Sequence, residues 1–181
     1  MEGLDIMKLD KKVEDRISSL VCGDNYKGYE LQLDDICQKL ELSLFAATFT
    51  EPNLSGAIYK DKDTNKFKIY VNKNHPITRN RFTIAHEIGH YISALCGSHS
   101  EKQLFNDSQG FEDYSISYRK NGILSDAETE ANEIAARILM PEHFVNDFVE
   151  LGLNIEEMAE RFFVSQSAMS IRLYNLGVMF L

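Results

Sequence analysis

The sequence lacks any uncharged apolar run long enough to span a bilayer, and its first thirty residues contain no continuous apolar segment typical of an export signal. We therefore expect a cytoplasmic protein that makes no contact with a membrane. Cysteine is also scarce, since Cys22, Cys37 and Cys96 are widely spaced, odd in number and free of any CxxC pairing. This usage argues against a disulfide framework and against a thiolate zinc cluster, so buried free thiols are expected.

Positive charge is in short supply. The chain carries 28 acidic residues against 19 lysines and arginines, which gives a formal net charge of -9. An acidic surface repels phosphate backbones, so we expect no direct binding to nucleic acid, whereas a basic protein partner would be attracted. The length of 181 residues, with 44% apolar and 26% charged residues, fits one compact globular unit.

The first half of the chain predicts two helices followed by strands. Apolar residues recur at helical spacing from Asp10 to Val21 and again in "LDDICQKLEL". Leu42 to Phe49 is typical of a strand. Two further strands, "LSGAIYK" and "FKIYVN", are separated by the polar turn "DKDTN", which predicts a small antiparallel sheet.

The second half is predominantly helical, so the fold class expected is α+β. A helical pattern runs from Thr78 to about Leu95, and Gly97 to Gly122 has the composition of a long irregular loop. Helical spacing returns in "SDAETEANEIAARILM" and stops at Pro141, before the short helical pattern "EHFVNDFVEL". The tail predicts two short helices that meet near Val164 and Ser165, which resembles a helix-turn-helix.

The stretch "RFTIAHEIGHYI" combines two histidines and a glutamate on a predicted helix. His86 and His90 are four residues apart, so both imidazoles can reach one ion from the same face. With Glu87 they form an H-E-x-x-H pattern, in which the histidines bind Zn²⁺ and the glutamate acts on water. Gly89 costs about 1 kcal/mol relative to alanine inside a helix, which suggests that something packs closely against the backbone there.

A catalytic zinc site needs a third protein ligand, which the helix does not supply. His75 and His99 lie in predicted loops, and Cys96 lies near the end of the same helix. The helix after Ser125 offers three carboxylates. They are Glu128, Glu130 and Glu133.

The three carboxylates differ in the roles that their neighbours predict. Ser125 and Glu128 have the spacing of a capping box at a helix start. Glu133 lies four residues before Arg137, so an exposed ion pair accounts for it. Glu130 remains, at the edge of the apolar stripe, where it is either a metal ligand or an ordinary boundary residue.

Together, "RFTIAHEIGHYI" and "EANEIAARILMP" resemble the ImmA/IrrE family of zinc metallopeptidases. The resemblance also includes "KIYVN" and "FFVSQSAMSIRLYNLG", and covers the chain from about Leu31 onward. It implies a Zn²⁺ ion bound by His86, His90 and Glu130, with Glu87 as the catalytic carboxylate. It further implies a zincin-like peptidase domain over residues 1–150, with the helix-turn-helix-like helices of 151–181 packed on it.

The resemblance implies a protein substrate, namely a helix-turn-helix repressor that is cut to release stress or mobile-element genes. The alternative is a non-catalytic module in which the metal braces the fold and the C-terminal helices bind a repressor or DNA. Those helices contain more acidic than basic residues, which argues against DNA reading. Ser165 is the predicted N-cap of the last helix. The predicted core residues of the pair are Phe162, Val164, Met169 and Leu173.

Overall fold

The computed structural model describes residues 8–21, 26–27, 29–51, 54–96 and 126–178. Within these ranges the chain forms an α+β fold, as predicted, and none of the helices described is long and apolar enough to cross a membrane. The predicted loop from Gly97 to Gly122 lies outside the described residues.

The helices are α1 (Lys11–Val21), α2 (Leu33–Lys39), α3 (Ile77–Cys96), α4 (Asp126–Leu139), α5 (Glu142–Glu150), α6 (Ile155–Phe162) and α7 (Gln166–Asn175). The strands are β1 (Tyr26–Lys27), β2 (Glu30–Leu31), β3 (Ser43–Ala47), β4 (Gly56–Lys60) and β5 (Phe67–Asn72).

The main sheet has three strands in the order β3-β5-β4. β4 and β5 pair antiparallel, with Ile58 opposite Ile69, as the two alternating stretches predict. β3 pairs with the other edge of β5 in parallel, with Phe45 opposite Tyr70. The sheet is therefore mixed, whereas a wholly antiparallel sheet was expected. Alternation indicates which face of a strand is buried, but it carries no information about the direction of the neighbouring strand.

Both predicted N-terminal helices bury the apolar stripes that their spacing indicates. Cys37 on α2 is buried, and burial raises the pKa of its thiol to about 12. Cys96 is half-buried, and both are free thiols, as expected, whereas Cys22 lies outside the described residues. The buried residues are Val13, Ile17 and Leu20 on α1, and Leu33, Ile36 and Cys37 on α2.

α3 and α4 pack against each other in the centre of the fold at very short range. A Cβ atom at Gly89 would lie 2.8 Å from the carbonyl oxygen of Ala131 and 3.0 Å from its Cα. A glycine is therefore needed where the two helix backbones meet. The expectation that something packs closely against Gly89 is confirmed.

α3 is also held at its N-terminal half by the strands. A Cβ atom at Gly56 on β4 would collide with the methyl group of Thr83, so this strand lies directly against α3. Arg81 donates hydrogen bonds from its guanidinium to the Glu30 carboxylate and to the Leu31 carbonyl, each at 3.0 Å. These contacts fix the half of α3 that precedes the two histidines.

The C-terminal helix pair forms as predicted. α6 begins with a capping box, in which the Asn154 side chain and the Glu157 carboxylate each accept a backbone hydrogen bond from the other residue. The chain then turns at Phe163, which has a left-handed φ of 54°. Ser165 caps α7 by accepting a hydrogen bond from the backbone N–H of Ala168 at 3.1 Å. The predicted core residues Phe162, Val164, Met169 and Leu173 are all buried.

The expected ion pair between Glu133 and Arg137 is present, but it is not exposed. Arg137 Nε lies 2.7 Å from Glu133 Oε1, and the Glu133 side chain is only 8% exposed. α7 covers this part of α4 and brings Arg172 Nη1 to 3.7 Å from the same oxygen. Arg172 also donates its Nε–H to the Met140 carbonyl at 3.0 Å, which ties α7 to the C-terminal end of α4. The residue spacing within α4 cannot show that another helix, α7, packs over Glu133 and buries it.

We predict that Gly89→Ala lowers the free energy of unfolding by about 1–3 kcal/mol, because the new methyl group forces the backbones of α3 and α4 apart. In an unconstrained helix the same change would stabilise by about 1 kcal/mol. Urea denaturation of the metal-free protein measures the difference. Ser170→Ala, at an exposed position of α7, serves as the control and should stay within about 0.5 kcal/mol of the parent. A Gly89→Ala protein as stable as the parent would contradict the close packing.

Candidate metal centre

His86 and His90 project from the same face of α3, because four residues are close to one helical turn. Their Nε2 atoms are 2.9 Å apart, and their ring planes are nearly perpendicular at 88°. Both side chains are mostly buried, with 16% and 10% of their surface exposed. The structure therefore brings together the two histidines that the sequence singled out.

A carboxylate from α4 completes the group. Glu128 Oε2 lies 3.3 Å from His86 Nε2, and Glu128 Oε1 lies 3.4 Å from His90 Nε2. In the part of the chain that the structure describes, these three residues are the one set whose ligand atoms lie within 4.8 Å of one another. Metal–ligand bonds of about 2.0–2.2 Å in a tetrahedral site separate the ligand atoms by roughly 3.3 Å. The residues present thus fit a single ion of the size of zinc.

Glu128, and not Glu130, is the carboxylate that the structure places beside the histidines. Two residues along a helix rotate a side chain by about 200°, so Glu130 points away from the side of α4 that carries Glu128. Glu130 is buried and lies within electrostatic reach of Cys96, six residues beyond His90 on α3. The structure therefore places Glu128, and not the predicted Glu130, where a third ligand would lie.

Sequence reasoning assigned Glu128 to a capping box with Ser125, which lies outside the described residues. The sequence feature that could have identified Glu128 is its four-residue spacing from Asn132, which matches the spacing of the two histidines. These two residues are four apart on α4, as His86 and His90 are on α3. His86 contacts Asn132 and His90 contacts Glu128, so the helices run antiparallel and the two pairs face each other.

Asn132, which the sequence did not single out, orients the first histidine. Its Oδ1 lies 2.9 Å from His86 Nδ1. An amide oxygen can only accept a hydrogen bond, so Nδ1 carries the proton, and the lone pair of Nε2 is left for a metal. The Phe82 ring packs beside the same imidazole, with 6.5 Å between ring centroids. The first histidine is thus held in both its tautomer and its orientation.

The electrostatics of the group favour a cation. The His86 and His90 imidazoles beside it hold the pKa of Glu128 well below its usual range, so this carboxylate is ionised at neutral pH. Glu87 follows His86 on α3 and is 7% exposed. The Glu87 carboxylate, directly next to His86 in the sequence, is therefore largely shielded from bulk water.

The other candidates for the third position do not join this group. His75 follows β5, and its Nδ1 is buried without a hydrogen-bond partner. Cys96 lies at the end of α3, where burial raises the pKa of its thiol and so disfavours the thiolate form that binds metals. His99 lies outside the described residues.

Comparisons with known proteins agree with this geometry. The sequence matches the family described as the IrrE N-terminal-like domain over residues 37–174. A Mycobacterium tuberculosis transcriptional regulator has a similar fold, with a TM-score of 0.54 and 18% sequence identity. That match covers 88% of this chain and 44% of the other, so this chain spans less than half the length of its structural neighbour. No curated protein matches the sequence.

An α+β fold with two histidines on one helix and a glutamate on a second is an arrangement that metallopeptidases carry. The chain belongs to the IrrE N-terminal-like domain family, which is associated with metallopeptidase-type regulators. The resemblance to the ImmA/IrrE family is thereby confirmed.

We predict that Glu128→Ala weakens zinc binding by at least about 100-fold, because loss of a ligand should cost more than the 10–100-fold typical of changes to its surroundings. Competition with a chromophoric chelator measures the affinity. Glu130→Ala is the matched control, since it removes a carboxylate from the same helix and should leave the zinc affinity unchanged. Retention of zinc by Glu128→Ala together with its loss in Glu130→Ala would restore the original assignment.

Replacement of Asn132 tests the orientation of His86. Asn132→Leu removes the hydrogen-bond acceptor at similar size, and we expect zinc affinity to fall about 10–100-fold. Asn132→Asp keeps an acceptor oxygen and should restore most of the affinity. Asn175→Leu, on α7, is the control and should bind zinc like the parent. Equal affinities for all four proteins in the chelator assay would rule out an orienting role.

Proposed function

We propose that the protein is a zinc-dependent endopeptidase. The observation that supports this most strongly is the convergence of His86 Nε2, His90 Nε2 and the Glu128 carboxylate at separations of 2.9–3.4 Å. Two imidazoles and one carboxylate are the donor set of catalytic zinc sites of the thermolysin type, in which a fourth position stays open. Membership in a family associated with metallopeptidase-type regulators supports the same reaction.

In this proposal each residue has a defined task. His86 and His90 would hold zinc through Nε2 and Glu128 would hold it through its carboxylate, while Asn132 keeps the proton on His86 Nδ1. Bound zinc supplies Lewis acidity, which lowers the pKa of water to about 7 and polarises the scissile carbonyl. Glu87 accepts the proton of the attacking water at a carboxylate oxygen and delivers it to the departing amine nitrogen. The products are a new carboxylate and a new amine.

The substrate that we propose is a helix-turn-helix repressor, whose cleavage in the cytoplasm releases stress or mobile-element genes. The association of the family with regulators supports this, as does the name of the structural neighbour, a transcriptional regulator. The net charge of -9 also fits, because DNA-binding proteins carry basic surfaces that an acidic enzyme attracts.

The rival function, a non-catalytic module that reads DNA through α6 and α7, finds less support. Arg172 is 4% exposed and bonded to Met140 and Glu133, so it is not available to a phosphate group. Arg161 remains exposed, but exposed acidic residues outnumber it on the same helix. The exposed acidic residues of α6 are Glu156, Glu157 and Glu160. We therefore propose that residues 151–181 pack on the peptidase part and do not bind DNA.

Glu87→Gln separates a peptidase from a binding module. We expect this protein to bind zinc within about twofold of the parent, while kcat/KM for cleavage of a random peptide mixture falls by at least about 10²–10⁴-fold, since the general base is lost. Mass spectrometry of the products measures cleavage, and the chelator assay measures zinc. Undiminished cleavage by Glu87→Gln, or no cleavage by the zinc-loaded parent, would contradict the proposal.

A further inference from the structure

A groove of about 810 Å³ opens beside the metal centre between α3, α4 and α7. This volume lies within the roughly 300–1,000 Å³ that ligand sites occupy. Two lining residues also contact His86, since Asn132 accepts its hydrogen bond and Phe82 packs beside its ring. One end of the groove therefore lies beside His86, one of the candidate metal ligands.

The groove extends from the metal centre along both central helices. It follows α3 toward its N-terminus as far as Thr78, eight residues before His86. It follows α4 toward its C-terminus as far as Met140, eight residues after Asn132. At 1.5 Å per helical residue both distances are roughly 12 Å. An extended polypeptide covers that length with about three residues.

α7 provides the outer wall of this groove. Ser167, Ile171 and Asn175 lie at four-residue spacing and form one stripe that faces it. Ile171 is 62% exposed. A single exposed isoleucine is ordinary, but this one shares the groove with further apolar side chains and so extends an apolar surface. These side chains are Phe82 and Ala136, which are partly exposed, and Met140 and Val164, which are buried.

Two of the three charged side chains that line the groove pair with each other, whereas Arg79 is exposed and its partner is a neutral hydroxyl. Glu133 and Arg172 are buried and lie 3.7 Å apart. Arg79 donates hydrogen bonds to the Ser55 hydroxyl at 2.9 and 3.3 Å. Apolar side chains thus dominate the surface open to a ligand.

We infer that the groove is a substrate subsite, which binds about three residues on one side of the scissile bond and seats a large apolar side chain against Ile171. This inference rests on the proposed function, whose reaction requires a polypeptide to lie next to His86. It assigns α7 the role of a specificity wall. The helix-turn-helix-like pair then contributes to peptide selection through its apolar stripe.

The test compares Ile171→Asp with Tyr174→Asp. Tyr174 is a matched control, because it lies on the same helix, is 65% exposed and does not line the groove. Zinc-loaded proteins are incubated with random short peptides, and the cleaved positions are read by mass spectrometry. We expect the parent and Tyr174→Asp to favour Leu, Ile, Met or Phe at one of three positions beside the cut. Ile171→Asp should lose that preference, favour Lys or Arg there, and lower kcat/KM for apolar peptides about tenfold or more.

A binding experiment keeps this inference separate from the proposed reaction. Immobilised Glu87→Gln protein, with and without Ile171→Asp, captures the same peptides, which are then sequenced. Apolar enrichment that disappears with Ile171→Asp supports the groove even if the parent cleaves nothing, in which case the peptidase proposal alone fails. Capture of no peptides, or an apolar preference unchanged by Ile171→Asp in either experiment, would overturn the inference.

Discussion

The contact between the backbones of α3 and α4 at Gly89 and Ala131 sets the position of every group in the candidate metal centre. A Cβ atom at Gly89 would lie 2.8 Å from the Ala131 carbonyl oxygen, so the two helices approach as closely as their main chains allow. At this distance short side chains reach from one helix to the other. Glu128 meets the histidines from the turn before Ala131, and Asn132 meets His86 from the residue after it. A wider helix pair would separate Glu128 and Asn132 from the two histidines.

The same antiparallel register links the metal centre to the rest of the molecule. α3 is held by Arg81 and by β4 just before His86. α4 is held at its C-terminal end by Arg172 on α7. The groove lies between these two anchored regions, beside the candidate ligands. The buried residues of α6 and α7 belong to the same apolar core as those of α3 and α4. The C-terminal helices are therefore structural neighbours of the site, as the role proposed for α7 requires.

Much of the fold could be predicted from the sequence, because helical and strand periodicity are local properties. The apolar stripes of α1 and α2, the Ser165 cap and the β4–β5 hairpin all depend on residues close together in the chain. The parallel pairing of β3 and the burial of Glu133 could not be predicted in this way. Both depend on elements distant in sequence, since β5 separates β3 from β4 in the sheet and α7 covers Glu133.

The sequence by itself determined the α+β class, the family, and the pair of histidines that four-residue spacing places on one face of α3. It also indicated a close approach at Gly89, since a glycine inside an amphipathic helix costs stability unless a backbone needs the space. Only the tertiary structure decided which carboxylate faces the histidines and which amide orients His86. Periodicity ranks the sides of one helix by polarity, whereas the choice between Glu128 and Glu130 depends on how α4 is rotated and shifted against α3. That rotation and shift result from packing between residues some forty positions apart, and no pattern within either helix contains them.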